Sequence, residues 1–358
     1  MTEVWTDTYD DDYSNRDNIC PPQDLTYSYI YIPILYFIAF FIGFTGNLFV
    51  IVLMAKKRGS KRLVDTFVLN LAVADLVFVC TLPLWAVSAA HDNKWHFGEV
   101  LCKLSSYIIS VNRYSSILFL TGMSVERYLV VLKRLNSKSI GTKKCMIAAC
   151  GCIWAISLFL GIPSLIYRKL SPAEDNAGDL CEDEDSITFQ VLSLALLILT
   201  FLLPLGVILF CYCSISVKLL NHISLGKGTK KSLHIIFTII GAFVGCWLPF
   251  NAFKTFLFFS SVFQEADLSC PAFMALRWGL AISVCLAFLN SCVNPIIYTL
   301  MDRHFRRQVL VQRLQFCGAS QTETRQNVIM SFSSATESSL LFVNRNKPSS
   351  PASIWREM

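Results

Sequence analysis

Apolar residues fall in long runs along this chain, and short polar stretches separate the runs. A hydrocarbon core of roughly 30 Å requires about 20 mostly apolar residues in helical form. The runs also lack the strict alternation of polar and apolar residues that a membrane barrel requires. We therefore predict an all-α membrane protein, a seven-helix transmembrane bundle with spans at residues 29–55, 65–90, 99–132, 146–167, 187–220, 232–260 and 271–300.

Composition and charge agree with a membrane protein and orient it. Hydrophobic residues make up 54% of the 358 residues and charged residues only 16%, which is too apolar for an ordinary soluble globule. Lysine and arginine concentrate in the first connection, KKRGSKR, in the third and fifth connections, and just after the last run. Because basic residues favour the cytoplasmic side, the N-terminus is predicted outside and the C-terminus inside, in a multi-pass protein of the plasma membrane.

This orientation divides the chain into four regions. We expect an extracellular acidic tail at 1–28, the transmembrane domain at 29–302, an amphipathic helix on the inner membrane surface at 303–316, and a disordered Ser/Thr-rich tail at 317–358. Cys317 is a candidate for palmitoylation, with a spare thiol as the alternative. Phosphorylation of SFSSATESS would create an acidic binding site in this tail, and a mere bias of composition is the alternative.

Most of the carboxylates lie on the predicted outer side, in the N-terminal tail and in the connection before the fifth span. Such a surface keeps exposed loops soluble, and it also attracts and steers a basic partner. Four cysteines face outward as well, and they permit three pairings. The topology favours Cys102 with Cys181 and Cys20 with Cys270, against four free thiols in an oxidising compartment.

Polar residues at similar depth inside the spans predict one shared pocket. Each costs several kcal/mol unless neighbours satisfy it, so such groups mark function by default. A carboxylate with amide and hydroxyl neighbours suits a small hard cation such as sodium, and a hydrogen-bonded structural network with water is the alternative. The pocket residues are Asn47, Asp75, Asn112, Ser116, Asn290, Ser291 and Asn294.

Proline also recurs inside the apolar runs, where it kinks helices. Kinked helices serve hinged motion or shape a cavity. The prolines concerned are Pro83, Pro163, Pro204, Pro249 and Pro295.

From residue 29 to residue 305 the chain resembles the rhodopsin-like, class A G-protein-coupled receptors, with one motif on each span in order. Each motif alone is a weak signal, and the complete series is specific. The motifs are GN at Gly46, LAVAD ending at Asp75, ERY from Glu126 to Tyr128, Trp154, Pro204 followed by Tyr212, CWLPF from Cys246, and NPIIY from Asn294 through Pro295 to Tyr298.

The outer half resembles the chemokine and peptide receptor branch of this family. TLPLW matches the bend of the second helix, WHFG matches the first outer loop, and a bridge from Cys20 to Cys270 is typical of the branch. The segment TYDDDYS resembles the sulfation sites of these receptors, at Tyr9 and Tyr13, and a plain acidic tail is the alternative. The resemblance implies an extracellular basic peptide or chemokine-like ligand.

The resemblance also implies an activation switch. Arg127 would be held by Glu126 at rest and would meet the G protein when the sixth helix moves outward, with Tyr212 and Tyr298 receiving it. Tyr128, Asn294 and Pro295 belong to the same switch and G-protein contact. Pro204, Ile117 and Phe243 match the packing residues that transmit the change, below Trp247. The family usually has aspartate at the position of Glu126, and the sixth helix has Thr229 in place of an acid. We therefore hypothesise a weak resting lock and activity without ligand.

For the ligand itself, the resemblance implies Tyr36, Trp85 and Trp247, with Lys254 and Arg277 as cations for a ligand carboxylate. Pairing of these two cations with loops or lipid head groups is the alternative. Val284 stands where chemokine receptors usually carry glutamate. Ile109 stands where amine receptors carry aspartate, and the seventh span contains no lysine for retinal, so monoamines and light are poor candidates.

The sequence contains no nucleotide-binding loop, nucleophile–base arrangement or further metal-ligand spacing, so an enzyme or a nucleic-acid-binding protein is not expected. A signalling receptor coupled to a heterotrimeric G protein of the inhibitory class is the leading hypothesis. A non-signalling scavenger or arrestin-coupled receptor of the same fold is the second. A transporter or channel comes last, since inverted repeats are not apparent.

Overall fold

The computed structural model of the chain describes residues 27–56, 63–132, 143–173, 178–184, 186–221, 227–263 and 270–301. Tyr9, Tyr13, Cys20, Cys317 and the surface helix expected at 303–316 lie outside these residues. The described helices are α1 (Ser28–Lys56), α2 (Leu63–Val79), α3 (Leu82–Ala90), α4 (Gly98–Leu132), α5 (Lys143–Ile166), α6 (Ile187–Leu197), α7 (Leu203–Asn221), α8 (Lys227–Phe263) and α9 (Cys270–Met301). Two strands, β1 (Arg168–Pro172) and β2 (Asp179–Asp183), lie between α5 and α6.

These helices form the seven predicted spans, with α2 and α3 making up the second span and α6 and α7 the fifth. Six spans are long and apolar enough to cross a bilayer by length and composition. The third span, α4, has 35 residues. At about 1.5 Å per residue it exceeds the hydrocarbon core, and its internal charged residues lower its hydropathy. The prediction of an all-α bundle with seven spans is confirmed.

Helix α4 is at the centre of the bundle, because it packs against α2, α5, α7 and α8. Among its fully buried side chains are Ile117, Phe119 and Met123. By contrast, Phe41 of α1 and Phe159 of α5 are exposed on the outside of the bundle, where lipid tails would cover them. The side chains of α4 thus reach the interior faces of several spans, which suits a helix that carries functional groups at both ends.

The second span is interrupted between α2 and α3. The Thr81 hydroxyl donates a hydrogen bond of 2.7 Å to the carbonyl of Phe78. Pro83 follows in the first turn of α3, where the missing N–H costs no helical hydrogen bond. The predicted bend is therefore a break with a new helix start, and it redirects α3 together with Trp85.

The fifth span widens between α6 and α7, where Ile198–Leu202 has π-helical geometry. Pro204 lies two residues after this segment. Proline removes a helical hydrogen bond and crowds the carbonyl one turn earlier, which accounts for the widened geometry there. Pro163, Pro249 and Pro295 lie inside α5, α8 and α9.

The acidic connection before α6, expected only as a loop, contains an antiparallel hairpin. Leu170 of β1 pairs with Cys181 of β2, and the backbone N–H of Trp95 donates to the carbonyl of Asp179 over 2.7 Å. A short two-stranded hairpin is marginal in isolation, so it needs an anchor. The disulfide between Cys102 and Cys181, with Cα atoms 5.8 Å apart, supplies that anchor at the outer end of α4.

Candidate functional site

The inner end of α4 holds two buried ionisable side chains. The side chains of Glu126 and Arg127 are 5% and 10% exposed, and Oε2 of Glu126 lies 3.5 Å from Nε of Arg127. Within the part of the chain that the structure describes, neither of these two atoms makes a hydrogen bond of good geometry. The contact is therefore electrostatic, and it lacks the directional donor–acceptor alignment of a strong ion pair.

Two tyrosines of the predicted switch lie close to this pair. The Tyr212 hydroxyl is buried near Ser124, interacts electrostatically with Arg127, and makes no hydrogen bond of good geometry within the described part of the chain. Tyr128 packs against Phe210, with ring centroids 5.9 Å apart. Tyr298 belongs to α9, and its side chain lies outside the described residues.

An aromatic stack runs from the middle of the bundle toward its outer half. Ile117 and Phe243 are each only 1% exposed, and Pro204 is buried as well. Phe243 lies 6.3 Å from Phe201 and 6.3 Å from the buried Trp247, measured between ring centroids. The residues expected to transmit a change are therefore packed in the core, and Trp247 lies at the outer end of the stack.

The predicted polar pocket centres on the fully buried Asp75 of α2. Nδ2 of Asn112 and Oγ of Ser291 donate to Oδ1 of Asp75 over 2.9 and 2.7 Å, and Nδ2 of Asn294 donates to Oδ2 over 3.0 Å. Four residues from three spans thus share one hydrogen-bond network.

The remaining predicted pocket residues are Asn47, Asn290 and Ser116, and all three are buried. Asn47 donates to the carbonyl of Ser291 over 2.9 Å, which ties the first span to the seventh, and Asn290 is buried on the same helix. The hydroxyl of Ser116 is buried and has no partner in the described residues. This hydroxyl on the third span and the Asp75 carboxylate on the second span are oxygen ligands of the kind that a sodium ion requires. Among the described residues, no cluster of three or more His, Cys, Asp and Glu side chains could hold a metal ion.

The outer half contains a network of charges between the hairpin and α8. Nη1 of Arg168 lies 2.8 Å from Oδ1 of Asp183, and Nζ of Lys254 lies 3.9 Å from Oδ2 of the same carboxylate. Lys254 thus makes the loop contact that was the alternative to ligand binding. Arg277 is exposed and joins no ion pair within the described residues.

Tyr36 and Trp85, the two predicted aromatic ligand contacts, are half-buried on α1 and α3. Tyr36 packs on Phe288 at 5.2 Å, and Trp85 packs on Trp95 at 4.9 Å, between ring centroids. Trp85 also faces the guanidinium of Arg168. Trp85 therefore adjoins the charge network, whereas Tyr36 lies against the seventh span.

Sequence reasoning missed Arg113, a cation in the middle of the third span. Its Nη2 donates to the Tyr114 hydroxyl over 3.1 Å, and its Cζ lies 5.9 Å from the ring centroid of Trp247. The available signal was an arginine within an apolar run, beside Asn112 of the polar pocket. An arginine at such a position is costly and marks function by default.

The sequence pattern of the family described as 7 transmembrane receptor (rhodopsin family) matches residues 46–298, which is well over half of the chain. The chain belongs to this family. It is thus a multi-pass G-protein-coupled receptor of the plasma membrane and not an enzyme.

Individual receptors match nearly the whole length. "Probable G-protein coupled receptor 25" of Mus musculus is 42% identical over 362 aligned positions, which cover 99% of each protein. "Apelin receptor A" of Danio rerio is 36% identical over 324 positions, covering 86% of this chain and 89% of the relative. "G-protein coupled receptor 15" of Mus musculus is 36% identical over 306 positions, covering 84% of each. The segment RWGLAISVCLAFLNSCVNP suggests the likeness to receptor 25, and the comparison confirms it.

Proposed function

We propose that this receptor binds an extracellular basic peptide or chemokine-like protein and activates a heterotrimeric G protein of the inhibitory class. Activation proceeds by outward movement of the sixth span and release of Arg127. The observation that carries the proposal is the buried contact between Arg127 and Glu126 at 3.5 Å, beside a Tyr212 hydroxyl with no well-aligned hydrogen bond to any described residue.

The chemistry of this contact suits a switch. Arginine stays protonated and presents five donors, so it can leave a carboxylate for carbonyl and hydroxyl acceptors without losing its charge. The loose geometry to Glu126 lowers the cost of leaving, and Tyr212 offers a nearby acceptor. Tyr298, Asn294 and Pro295 on the seventh span complete the switch in this proposal.

The aromatic stack supports transmission from outside to inside. Trp247 and Phe243 are on α8, and Phe201 and Pro204 are on the fifth span. Because these side chains are close-packed, a shift of Trp247 displaces its neighbours and is not absorbed locally. Coupling then follows from a difference in ligand contacts between two arrangements of this stack.

Ligand recognition begins on the acidic outer surface, which attracts a basic partner and speeds its association at low salt. Sulfation of Tyr9 and Tyr13 would add to this negative charge. Lys254, Arg277, Tyr36 and Trp85 then contact the part of the ligand that enters the bundle. The apelin receptors among the relatives are named for a peptide ligand, which supports this ligand class.

A sodium ion is a further candidate partner, and Asp75, Ser116 and Ser291 would hold it by their oxygens. The bound ion would add a positive charge beside Asp75 and stabilise the resting arrangement. Asn112, Asn290 and Asn294 would then form hydrogen bonds around the occupied site. In the structure Asn112 and Asn294 donate to Asp75.

The remaining partners are the lipid bilayer and, at the cytoplasmic tail, receptor kinases and arrestin. Phosphorylation of the tail would supply the negative charge that arrestin recognises. Palmitoylation of Cys317 would tether the start of this tail to the membrane.

The test is G-protein dissociation in cells that express the wild type or Arg127→Ala, challenged with a panel of basic chemokine-like proteins while ligand uptake is measured in parallel. We expect dissociation in the wild type and none in the variant, at matched surface expression. Pertussis toxin should abolish the wild-type response if the G protein is of the inhibitory class. Uptake without dissociation in either form would instead identify a scavenger receptor.

A further inference from the structure

Three cations in the outer half of the bundle each face an aromatic ring. Arginine and lysine gain electrostatic energy over such rings, most of all where water is scarce. The cation-to-centroid distances run from 4.8 to 6.0 Å. The pairs are Arg113 with Tyr114 and Trp247, Arg168 with Trp85, and Lys254 with Phe250.

Among the described residues, the charges that interact around Lys254 do not balance. A single carboxylate, Asp183, contacts both Arg168 and Lys254. Lys254 interacts electrostatically with Arg113 as well as with Asp183 and Arg168. Three cations therefore share one anion among these interacting groups. Because like charges repel, this arrangement favours uptake of a further anion.

Arg113 is the cation with the least compensation. No carboxylate in the described part of the chain forms an ion pair with it, and its polar contact is the neutral hydroxyl of Tyr114. Lys254 lies seven residues beyond Trp247 on α8, two helical turns away on the same face, whereas Arg113 contacts Trp247 itself. Arg113 is therefore the deeper of the two cations.

We infer that Arg113, assisted by Lys254, is the binding site for a carboxylate carried on an apolar or aromatic body, and that carboxylate binding draws the guanidinium of Arg113 away from the ring of Trp247. This inference rests on the proposed function and deepens it, because it names the chemistry of the deepest ligand contact. The planar guanidinium binds a carboxylate through two parallel hydrogen bonds, and the surrounding rings accept the apolar body.

The sign of the charge thus reverses with depth. Outer loops that are acidic attract a basic partner, and the interior cations select its anionic group. A basic polypeptide satisfies both conditions, since its chain ends in a carboxylate. A small organic acid satisfies only the second, so the two sources can be separated by experiment.

The experiment monitors Trp247 directly in purified full-length receptor in lipid nanodiscs. The protein is labelled with 5-fluorotryptophan, and the fluorine resonance that disappears in Trp247→Phe is assigned to this residue among the seven tryptophans. The probes are N-acetyl-Ala-Leu-Phe with a free carboxylate, the same peptide with a C-terminal amide, and 4-phenylbutanoate. No G protein is present, so failure here is distinct from failure of G-protein activation.

We expect the free-carboxylate peptide to shift the Trp247 resonance of the wild type and the amide to leave it unchanged. In Arg113→Gln, the concentration for a half-maximal shift should rise about tenfold or more, because a charge-assisted pair is lost. Arg113→Lys should recover part of this affinity, since it keeps the charge without the planar fork. A shift with 4-phenylbutanoate as well would assign the site to carboxylates of either source.

The matched control is Lys103→Gln, which removes a cation of the same helix that pairs with Glu99. This variant should respond like the wild type. Equal responses of Arg113→Gln and wild type, equal responses to the acid and amide peptides, or no shift with the acid peptide in folded wild type would each overturn the inference.

Discussion

Asn294 of the seventh span donates a hydrogen bond of 3.0 Å to Asp75 of the second span, across 219 positions of sequence. Asn112 and Ser291 donate to the same carboxylate, so one buried acid joins three spans. The proposed switch at the inner face and the proposed ligand contact at the outer face both involve spans that this network joins.

Removal of the Asp75 carboxylate should therefore destabilise the bundle. Asp75→Ala leaves three buried donors without their acceptor, at a cost of about 1–3 kcal/mol for each. We expect a melting temperature several degrees below that of the wild type in nanodiscs, with Asp75→Asn intermediate because its amide retains an acceptor oxygen. The exposed Glu182→Ala on β2 is the control. A melting temperature equal to the wild type in Asp75→Ala would contradict a structural role.

Sodium should act at the same residue. If Asp75 and Ser116 hold the ion, replacing sodium by N-methylglucamine should raise basal G-protein dissociation in the wild type. Ser116→Ala, which removes the buried hydroxyl but not the Asp75 network, should reduce that response. Identical sodium dependence in wild type and Ser116→Ala would exclude this hydroxyl as a ligand.

The loose Arg127–Glu126 contact should give basal activity that a stronger lock suppresses. Thr229→Glu introduces an acid near the start of α8, the helix proposed to move outward, at the position where the family resemblance implies an acid that pairs with Arg127. We expect lower basal G-protein dissociation in this variant than in the wild type at equal surface expression. Thr229→Gln introduces a side chain of the same size as glutamate without its charge, and its basal G-protein dissociation should stay near that of the wild type. Equal basal signalling in all three forms would argue against a weak lock.

The outer disulfide should contribute to stability by anchoring the hairpin. The bond joins Cys102 and Cys181 across 79 positions, and closing a loop of that length stabilises by about 4 kcal/mol in the chain-entropy model. We expect the double variant Cys102→Ser/Cys181→Ser to lose most of its surface expression. Cys152→Ser, at an exposed free cysteine of α5, is the matched control.

Two predictions concern the N-terminal tail. Digestion without reduction should yield a Cys20 peptide linked to a Cys270 peptide, and alkylation of both thiols in native receptor would refute that bridge.

Tyr9→Phe/Tyr13→Phe should weaken binding of a basic ligand at low salt by several-fold and lose the tail's sulfate in mass spectra. Tyr29→Phe, at the exposed start of α1, should change neither property.

The sequence by itself determined the spans and their orientation. A bilayer imposes these properties on each segment separately, since every span must be long, apolar and internally hydrogen-bonded, and basic connections must stay inside. The GN motif at Gly46 was also visible in the sequence. The reason for glycine at this position was not visible in the sequence. Only the packing shows that a Cβ on Gly46 would approach Cβ of Pro295 to 2.9 Å.

Tertiary structure decided which polar groups meet. The hairpin depends on its anchor at Cys102, and the pairing of Lys254 with Asp183 joins a loop to the sixth span. Arg113 contacts Trp247, which is 134 positions away in the sequence. Such contacts follow from the three-dimensional arrangement of helices whose local patterns are nearly alike. Hydropathy along one segment carries no information about the partner that a charged side chain meets on another.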